Sequence, residues 1–421
     1  AMKEENFTDN INNYRSAIFF ELESTKFPNY GYKMYSQTWE DVAGAIYRYD
    51  DFGGEIDEDR VFRKEVDVLI ESHKGKPELA GAIFNFVKSK MVWNGYYGVG
   101  CENGIKNAFE KGKGNVADIN LMLTSMLRYA GFNANPVLVS TKDHGIPLFP
   151  TMDGFNYVIA AIELEQGYLL LDATENILGI NQLPVRAINW SGRLVREDGT
   201  SKSVSLIPEQ ISEKNIFMNV EFQEDGKVDG KMQTRFTNHL AYEYRKEVGS
   251  KTKEQLKDYI SAIYDGTEIE KLENENLKNS NAQLTETLEF TKDGVMEIIG
   301  DRAYFSPMLF LANKENPFKM EKREYPIDLD YSKKEKVTIN FSIPSGFAIE
   351  SIPESMALGL PDDQGTFNYT IRQNGSNIQL VCIKETKSAM LSPILYEPLR
   401  EFYEQVVQKE NDKVVLVKTK S

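Results

Sequence analysis

The segment from Lys111 to Val139, KGKGNVADINLMLTSMLRYAGFNANPVLV, constrains the fold of this 421-residue chain more than any other. It begins as a glycine-rich turn, continues with apolar residues at helical spacing and ends in a strand-like run. Asn115 is a typical N-cap and Gly131 a typical C′ residue, so we predict an amphipathic helix between them. Enzymes often place a nucleophile on the first residue of a helix after such a turn. Here that residue is Val116, which carries no reactive group.

Helices are predicted before this segment and strands after it. Thr38, with Asp41 three residues later, has the pattern of a helix N-cap, and apolar residues recur at helical spacing after Pro77. Three strand-like runs come after the central helix, at 135–141, 155–164 and 167–174. A group of helices followed by antiparallel strands is typical of an α+β domain.

The sequence changes character after about residue 205, where runs of alternating apolar and polar residues predominate. We predict one or two β-rich, sandwich-like domains over 206–421, with two helices, one at 253–264 and one near the end of the chain. The run SAIFFELE at 16–23 predicts a strand. The predicted division is therefore a remnant of an N-terminal β domain at 1–35, the α+β core at 36–205 and the β-rich part at 206–421.

Composition excludes several functional classes. The formal net charge of −15 argues against a nucleic-acid partner, because such proteins need a basic face. No apolar run approaches the ~18 residues of a transmembrane helix. Two cysteines are too few for a disulfide framework or a cysteine zinc site. The three histidines, His73, His144 and His239, are far apart in sequence. We expect no metal and no cofactor.

Four short motifs between residues 112 and 174 occur in a characteristic order. They are GNVAD at 114–118, LRYAGF at 127–132, FNY at 155–157 and LDAT at 171–174. This order resembles the transglutaminase-like core, which is also found in papain-like bacterial peptidases. In that family G-x-C-x-[DE] opens a helix, L-R-x-x-G-[IF] closes it, F-N-H lies on a following strand and l-D-p-T ends another. The resemblance implies a transglutaminase-like (papain-like) fold for 36–205.

The resemblance also implies a Cys-His-Asp triad, of which this sequence keeps one member. The cysteine position is Val116, the histidine position is Tyr157 and the aspartate position is Asp172. Valine cannot attack a carbonyl group, and a tyrosine with a pKa of about 10 is a poor base at neutral pH. We predict that no catalysis occurs at these positions. We also predict a hydrogen bond between Asp172 and the Tyr157 hydroxyl, because a buried carboxylate needs donors.

A wider resemblance extends over residues 14–421. The passages YSQTWEDVA, FNYVIAAIEL to LLLDATE, and LYEPLREFYEQVVQKENDKVVLV are similar to a group of bacterial envelope proteins. In that group a β domain of unknown function precedes the transglutaminase-like core and a smaller β domain follows it. The resemblance implies a periplasmic or cell-envelope location. The Ala1-Met2 start is typical of a cloning scar, so we expect the native N-terminus, with any export signal, to be missing here.

Three functional hypotheses follow. In the first, the chain is a catalytically inactive binding or scaffolding module. The cleft that holds the triad in the family is then a groove for a peptide, glycan or protein partner. Residues that could line this groove are Trp93, Tyr96, Asn115 and Asn156, with Tyr97 beside them.

The second hypothesis is a cysteine peptidase, amidase or transglutaminase with a relocated nucleophile. Cys101 lies 15 residues before the position of the lost cysteine, and His144 follows the strand at 135–141. The third hypothesis is a purely structural multidomain spacer whose β-rich part makes the contacts.

Overall fold

The computed structural model describes residues 5–16, 18, 22, 24–29, 31–34, 38–223 and 225–419. The strand predicted at 16–23 lies outside the described residues, except for Ser16, Ile18 and Leu22. The chain divides into two compact units, 1–208 and 209–421. The first is an α+β unit and the second is rich in β-structure. The finer boundaries proposed from the sequence stay predictions.

The first unit contains helices on an antiparallel sheet. Its helices are α1 (Trp39–Tyr47), α2 (Arg63–Ser72), α3 (Lys76–Lys90), α4 (Ile105–Lys111) and α5 (Val116–Tyr129). Two short strand pairs are β1 (Ser24–Phe27) with β2 (Gly31–Met34), and β3 (Val92–Trp93) with β4 (Lys113–Gly114). The main sheet is formed by β5 (Ala134–Val139), β6 (Tyr157–Glu163), β7 (Tyr168–Leu171), β8 (Ser191–Val195) and β9 (Ser201–Ser205). Its strand order is β7-β6-β5-β8-β9.

Local sequence signals explain where these elements begin and end. The Thr38 hydroxyl accepts from the Asp41 amide and the Asp41 carboxylate accepts from the Thr38 amide, so the predicted N-cap of α1 is confirmed. The same reciprocal pair joins Asn115 and Asp118 at α5. Gly131 follows α5 with a φ of +80°, a left-handed conformation that favours glycine. The three predicted strands are present as β5, β6 and β7.

The central helix is more deeply buried than the sequence pattern indicated. All residues of α5 from Val116 to Leu127 are buried, so the helix is enclosed rather than amphipathic on a surface. It packs against β5 and β6 and against α3 and α4. Its polar residues Asn120 and Thr124 have hydrogen-bond partners inside the unit, which makes their burial tolerable.

The second unit contains two larger sheets and three helices among its described residues. The helices are α6 (Asn238–Val248), α7 (Lys253–Ile263) and α8 (Tyr396–Glu410). The eight-stranded sheet contains β10 (Ser212–Phe222), β11 (Val228–Phe236), β12 (Glu268–Glu275), β13 (Leu284–Lys292), β17 (Lys333–Ser342), β19 (Met356–Gly359), β20 (Gly365–Asn374) and β21 (Asn377–Thr386). The remaining strands are β14 (Glu297–Ile299), β15 (Arg302–Phe305), β16 (Ile327–Asp328), β18 (Phe347–Ser351), β22 (Met390–Leu391) and β23 (Val414–Lys418).

The eight-stranded sheet has the order β12-β13-β11-β10-β17-β21-β20-β19. Its neighbours are antiparallel except β10 and β17, which are parallel. The four-stranded sheet has the order β14-β15-β23-β18. The helices α7 and α8 correspond to the two predicted helices, and α6 is an additional one. Over the described part of the chain, every helix is too short or too polar to span a bilayer.

Candidate functional site

Tyr157 and Asp172, which the sequence resemblance assigned to the histidine and aspartate positions of a triad, are joined by a hydrogen bond. Tyr157 begins β6 and Asp172 directly follows β7. Because these strands are antiparallel neighbours, the two side chains lie at the same end of the strand pair. The Tyr157 hydroxyl donates to Asp172 Oδ2 at 2.7 Å. Both side chains are fully buried. The hydrogen bond predicted from the sequence is therefore confirmed.

Asp172 has four hydrogen-bond donors in total. Its Oδ1 accepts from Asn120 Nδ2 at 3.1 Å, from the Thr174 amide at 3.0 Å and from the Thr174 hydroxyl at 2.7 Å. Asn120 lies on α5 and also holds the sheet, because it donates to the Val158 carbonyl. The carboxylate is thus saturated by donors from α5, β6 and its own loop. Such a network fixes geometry in a dry interior.

Arg186 is the cation of this cluster. It lies on a 3₁₀ turn, Val185–Ala187, and its Nη2 donates to the Tyr157 hydroxyl at 3.1 Å and to the Thr174 hydroxyl at 2.8 Å. Its Nη1 is ion-paired with Glu175. Burial by itself lowers the pKa of Arg186, but Tyr157, Asp172 and Glu175 outweigh burial and raise it. Arg186 therefore stays charged at every physiological pH.

Burial also fixes the protonation state of the tyrosine. The Tyr157 pKa is raised well above its usual value, first because the phenol is buried and second because Asp172 is adjacent. The phenol is therefore a neutral donor at neutral pH and cannot act as a base. A general base needs a pKa near the working pH, so the raised pKa of Tyr157 disfavours such a role for it.

Two aromatic rings, Trp93 and Tyr157, lie over the Arg186 guanidinium, and a third ring, Tyr97, contacts both of them; we call these three residues the aromatic cage. The Trp93 and Tyr97 rings stack with centroids 5.7 Å apart and an interplanar angle of 6°. Tyr97 meets Tyr157 edge to face, at 5.5 Å. The Arg186 Cζ lies 4.5 Å from the Trp93 centroid and 5.6 Å from the Tyr157 centroid. These distances are typical of cation–π contacts.

The N-terminus of α5 is covered by the segment that carries the cage. Val116, its first residue, is 0% exposed and donates its amide hydrogen to the Tyr96 carbonyl at 3.3 Å. The Trp93 indole donates to the same carbonyl at 3.0 Å. Asn115 Nδ2 donates to the Gly100 carbonyl at 3.0 Å. A helix N-terminus stabilises a thiolate through such free amides, and here the amide of residue 116 is already bound.

Cys101 lies beside this helix end in an acidic environment. The carboxylates of Asp118 and Glu55 act on its thiol, and its amide donates to the Asp51 carbonyl at 2.7 Å. Burial raises the pKa of the Cys101 thiol, and Asp118 and Glu55 raise it further. An activated cysteine needs the opposite environment, with a lowered pKa. The surroundings of Cys101 therefore oppose the hypothesis of a relocated nucleophile.

The other residues proposed from the sequence have separate partners. His144 Nδ1 is 3.0 Å from the Ser140 hydroxyl, on the exposed turn Lys142–His144. Asn156 exchanges two hydrogen bonds with Thr141, at 2.8 and 2.9 Å. Neither contact joins the Tyr157 cluster. Of the proposed groove residues, the structure brings Trp93 into the cluster.

Sequence reasoning missed the roles of Arg186, Glu175 and Asn120. Arg186 lies in the loop LPVRAIN, which has no periodicity and no motif, so no local signal marks it. Asn120 is one helical turn after Val116 and is the only one of the three with such a signal, because an amide in an otherwise apolar stripe needs a buried partner.

The residues of this cluster offer groups that suit binding more than acyl transfer. Among the residues named for it, none supplies a nucleophile or a titrating base at neutral pH. It does supply stacked aromatic rings, a fixed guanidinium and two carboxylates at one place. Tyr97 is 39% exposed and Tyr96 is 66% exposed, so the site borders solvent on this side. Exposed aromatic side chains beside polar groups are typical of ligand sites.

The chain is similar to a protein family and to a solved structure. A family described as "Domain of Unknown Function with solved-structure structure (DUF3858)" matches residues 301–416, within the second unit. No curated protein matches the chain at a significant level. A solved structure described as "crystal structure of a putative protease from Parabacteroides distasonis ATCC 8503" is 13% identical and has a TM-score of 0.52. The match covers 95% of this chain and 63% of that one.

The likeness to that structure concerns the fold alone, because the identity is low. The chain spans 63% of the length of the protein it resembles, so part of that protein has no counterpart here. What the two share is a fold.

Proposed function

We propose that this protein is a catalytically inactive member of the transglutaminase-like superfamily that acts as a binding or scaffolding module of the bacterial cell envelope. In this proposal residues 36–205 are the transglutaminase-like core, and the surface beside the buried Tyr157 binds a peptide or glycan instead of processing it. The periplasmic or envelope location rests on the resemblance noted in the sequence.

One observation carries the proposal. Asp172, in the position of the triad aspartate, receives its hydrogen bond from the neutral phenol of Tyr157 instead of an imidazole. Valine occupies the position of the nucleophile, and its amide is bound by the Tyr96 carbonyl. The fold of a structure described as a protease supports a peptide-binding ancestry. In this proposal the chain has lost the groups for catalysis and has kept a surface that binds a ligand.

The binding surface proposed for the ligand is the exposed side of the segment 93–97. Tyr96 projects into solvent while its backbone is fixed by Trp93 and Val116. Asn94 Oδ1 accepts from the Tyr96 amide at 3.0 Å, and Asn94 Nδ2 donates to Glu102 at 2.8 Å. A rigid, exposed aromatic ring beside amide and carboxylate groups suits the face of a sugar ring or a peptide side chain.

The test is binding of the whole chain to defined peptide and glycan arrays. We expect wild-type protein to retain a subset of these ligands and Tyr96→Ala to lose at least about tenfold in affinity for them, since a buried aromatic contact is worth one to two kcal/mol or more. Tyr49→Ala is the matched control, because Tyr49 is also exposed and lies in the same unit.

Either of two outcomes would contradict the proposal. If the wild-type protein hydrolyses or cross-links the peptides that it binds, the protein is an enzyme and not an inactive module. If Tyr96→Ala and Tyr49→Ala bind every ligand as the wild type does, the exposed side of 93–97 is not the ligand surface.

A further inference from the structure

We propose that the aromatic cage is a guanidinium-binding site that the chain itself occupies with Arg186, and that its external ligand is the arginine side chain of a peptide. This inference rests on the binding role proposed above and specifies the chemistry of the ligand. In the present state Arg186 is an internal competitor for that ligand.

The surroundings of Arg186 have the composition of a cation-recognition site. Two rings face its Cζ, Trp93 at 4.5 Å and Tyr157 at 5.6 Å, and Tyr97 packs on both of these rings. Aromatic faces attract cations because the π-system is negative at its centre. Two rings over one guanidinium, with a third ring holding both, exceed what a single structural salt bridge needs.

Carboxylates and hydroxyls complete the match to a guanidinium. Glu175 pairs with Nη1, and the Tyr157 and Thr174 hydroxyls accept from Nη2. Asp172 orients both hydroxyls, because it accepts a hydrogen bond from each. A planar, fork-shaped cation uses such in-plane acceptors while its faces stack on rings. An ammonium group could not satisfy both requirements in the same way.

Arg186 fills this site imperfectly. Its Nε is buried, and no acceptor in the described part of the chain lies within hydrogen-bond distance of it. The guanidinium is held by a short turn, in which the Ala187 amide is bound to the Pro184 carbonyl at 2.8 Å. An arginine from a separate peptide is not restricted by this turn and can orient its own Nε freely.

The site is accessible from solvent. The Arg186 side chain is 14% exposed and Tyr97, a wall of the cage, is 39% exposed. A peptide on the surface formed by 93–97 therefore lies next to the cage. An arginine of that peptide would enter past Tyr97, and Arg186 would have to withdraw.

The test uses the full chain with Arg186→Ala and the probe N-acetylarginine methylamide, measured by titration calorimetry. We expect the variant to bind the probe at least tenfold more tightly than the wild type does, because the internal competitor is absent. The citrulline analogue, which has nearly the same shape without the charge, should bind at least tenfold more weakly than the arginine probe. The lysine analogue should also be weaker.

A matched variant controls for non-specific binding of arginine. Arg193→Ala removes another arginine of the same unit that lies over a tryptophan, since Arg193 Cζ is 5.2 Å from the Trp39 centroid. A single ring of the described residues lies over that guanidinium, so we expect Arg193→Ala to bind the probe no better than the wild type. In the Arg186→Ala background, Trp93→Ala should remove the binding.

Two results would overturn the inference. One is equal affinity of Arg186→Ala for the arginine and citrulline analogues, and the other is equal affinity of Arg186→Ala and wild type for arginine. If Arg186→Ala does not fold, Arg186→Gln keeps most of the side-chain stem and is judged by the same two comparisons. Neither result would affect the array test, in which the wild type binds ligands through Tyr96. The proposed function and this inference can therefore be contradicted independently.

Discussion

The hydroxyl of Tyr157 donates to Asp172 Oδ2 at 2.7 Å inside the first unit, where both side chains are fully buried. In thiol enzymes of the transglutaminase-like family, which the sequence resembles, the aspartate of the triad orients an imidazole. Here it orients a phenol, and the phenol in turn accepts from Arg186 at 3.1 Å. The cluster is therefore a stable hydrogen-bond network with a fixed charge distribution, and its loss should destabilise the unit.

Asp172→Ala should lower the free energy of unfolding of the first unit by at least about 3 kcal/mol. The substitution leaves buried donors of Tyr157, Asn120 and Thr174 without an acceptor and removes a carboxylate near Arg186. Urea unfolding followed by tryptophan fluorescence measures this, because all three tryptophans, at positions 39, 93 and 190, lie in the first unit.

The exposed Asp153 supplies the control for that measurement. Asp153→Ala should change the same free energy by less than about 0.5 kcal/mol. A loss of similar size in both variants would contradict the importance assigned to the network.

Tyr157→Phe should destabilise the unit by about 1–3 kcal/mol at neutral pH, because Asp172 and Arg186 lose a hydrogen-bond partner. The difference in the free energy of unfolding between wild type and Tyr157→Phe should become smaller at alkaline pH. Since the folded-state pKa of Tyr157 is raised, its contribution is full below the unfolded-state pKa of about 10 and decreases as the pH rises above that value.

Unfolding free energies of wild type and Tyr157→Phe, compared from neutral to alkaline pH, test this. The gap between the two proteins should be constant up to about pH 10 and become smaller above it. A gap that widens with rising pH would mean that the phenol ionises more easily in the folded protein, contrary to the account.

Cys101 should react slowly with iodoacetamide at neutral pH. Burial and the carboxylates of Asp118 and Glu55 raise its pKa, so little thiolate is present. The measurement is the alkylation rate as a function of pH in a Cys382→Ser background, which leaves one thiol. Rapid alkylation at about pH 6 would reveal an activated thiolate and restore the hypothesis of a relocated nucleophile.

Placing cysteine and histidine at the two positions that the resemblance assigns to a triad should create an activated thiol. In a background of Cys101→Ser and Cys382→Ser, the pair Val116→Cys and Tyr157→His places a thiol at the start of α5 and an imidazole on Asp172. We expect the thiol pKa of this protein to be at least about one unit below that of Val116→Cys alone. Ultraviolet absorbance of the thiolate during a pH titration measures both values.

The thiol titration also tests the resemblance on which the proposal rests. Equal thiol pKa values with and without Tyr157→His would show that positions 116 and 157 are not arranged as a catalytic pair. The transglutaminase-like assignment would then lose its main residue-level support, although the fold itself would be unaffected.

Elements marked by local signals could be predicted from the sequence. Capping pairs and a terminal glycine define α1 and α5, and uninterrupted apolar runs define β5 to β7. The helices α2, α4 and α6 were not predicted. Charged residues make up five of the ten residues of α2 and four of the eleven of α6, and α4 has only seven residues, so tertiary contacts decide their conformation.

The environment of α5 could be predicted only in part. Its stripe of polar residues, including Asn120 and Thr124, indicated a solvent-facing side, yet these residues are buried with partners inside the unit. Arg186 illustrates the same limit for the site. It meets Tyr157 across 29 residues of sequence, from a loop without periodicity, and only the folded chain shows that contact.

Turnover of amide bonds tests the central claim most directly. Wild-type protein and Cys101→Ser should be incubated with a fluorogenic peptide library and with a glutamine–amine transamidation assay. The account predicts no turnover above the rate without protein, and the same result for both proteins. Turnover by the wild type that Cys101→Ser abolishes would contradict the account and identify an enzyme with a displaced nucleophile.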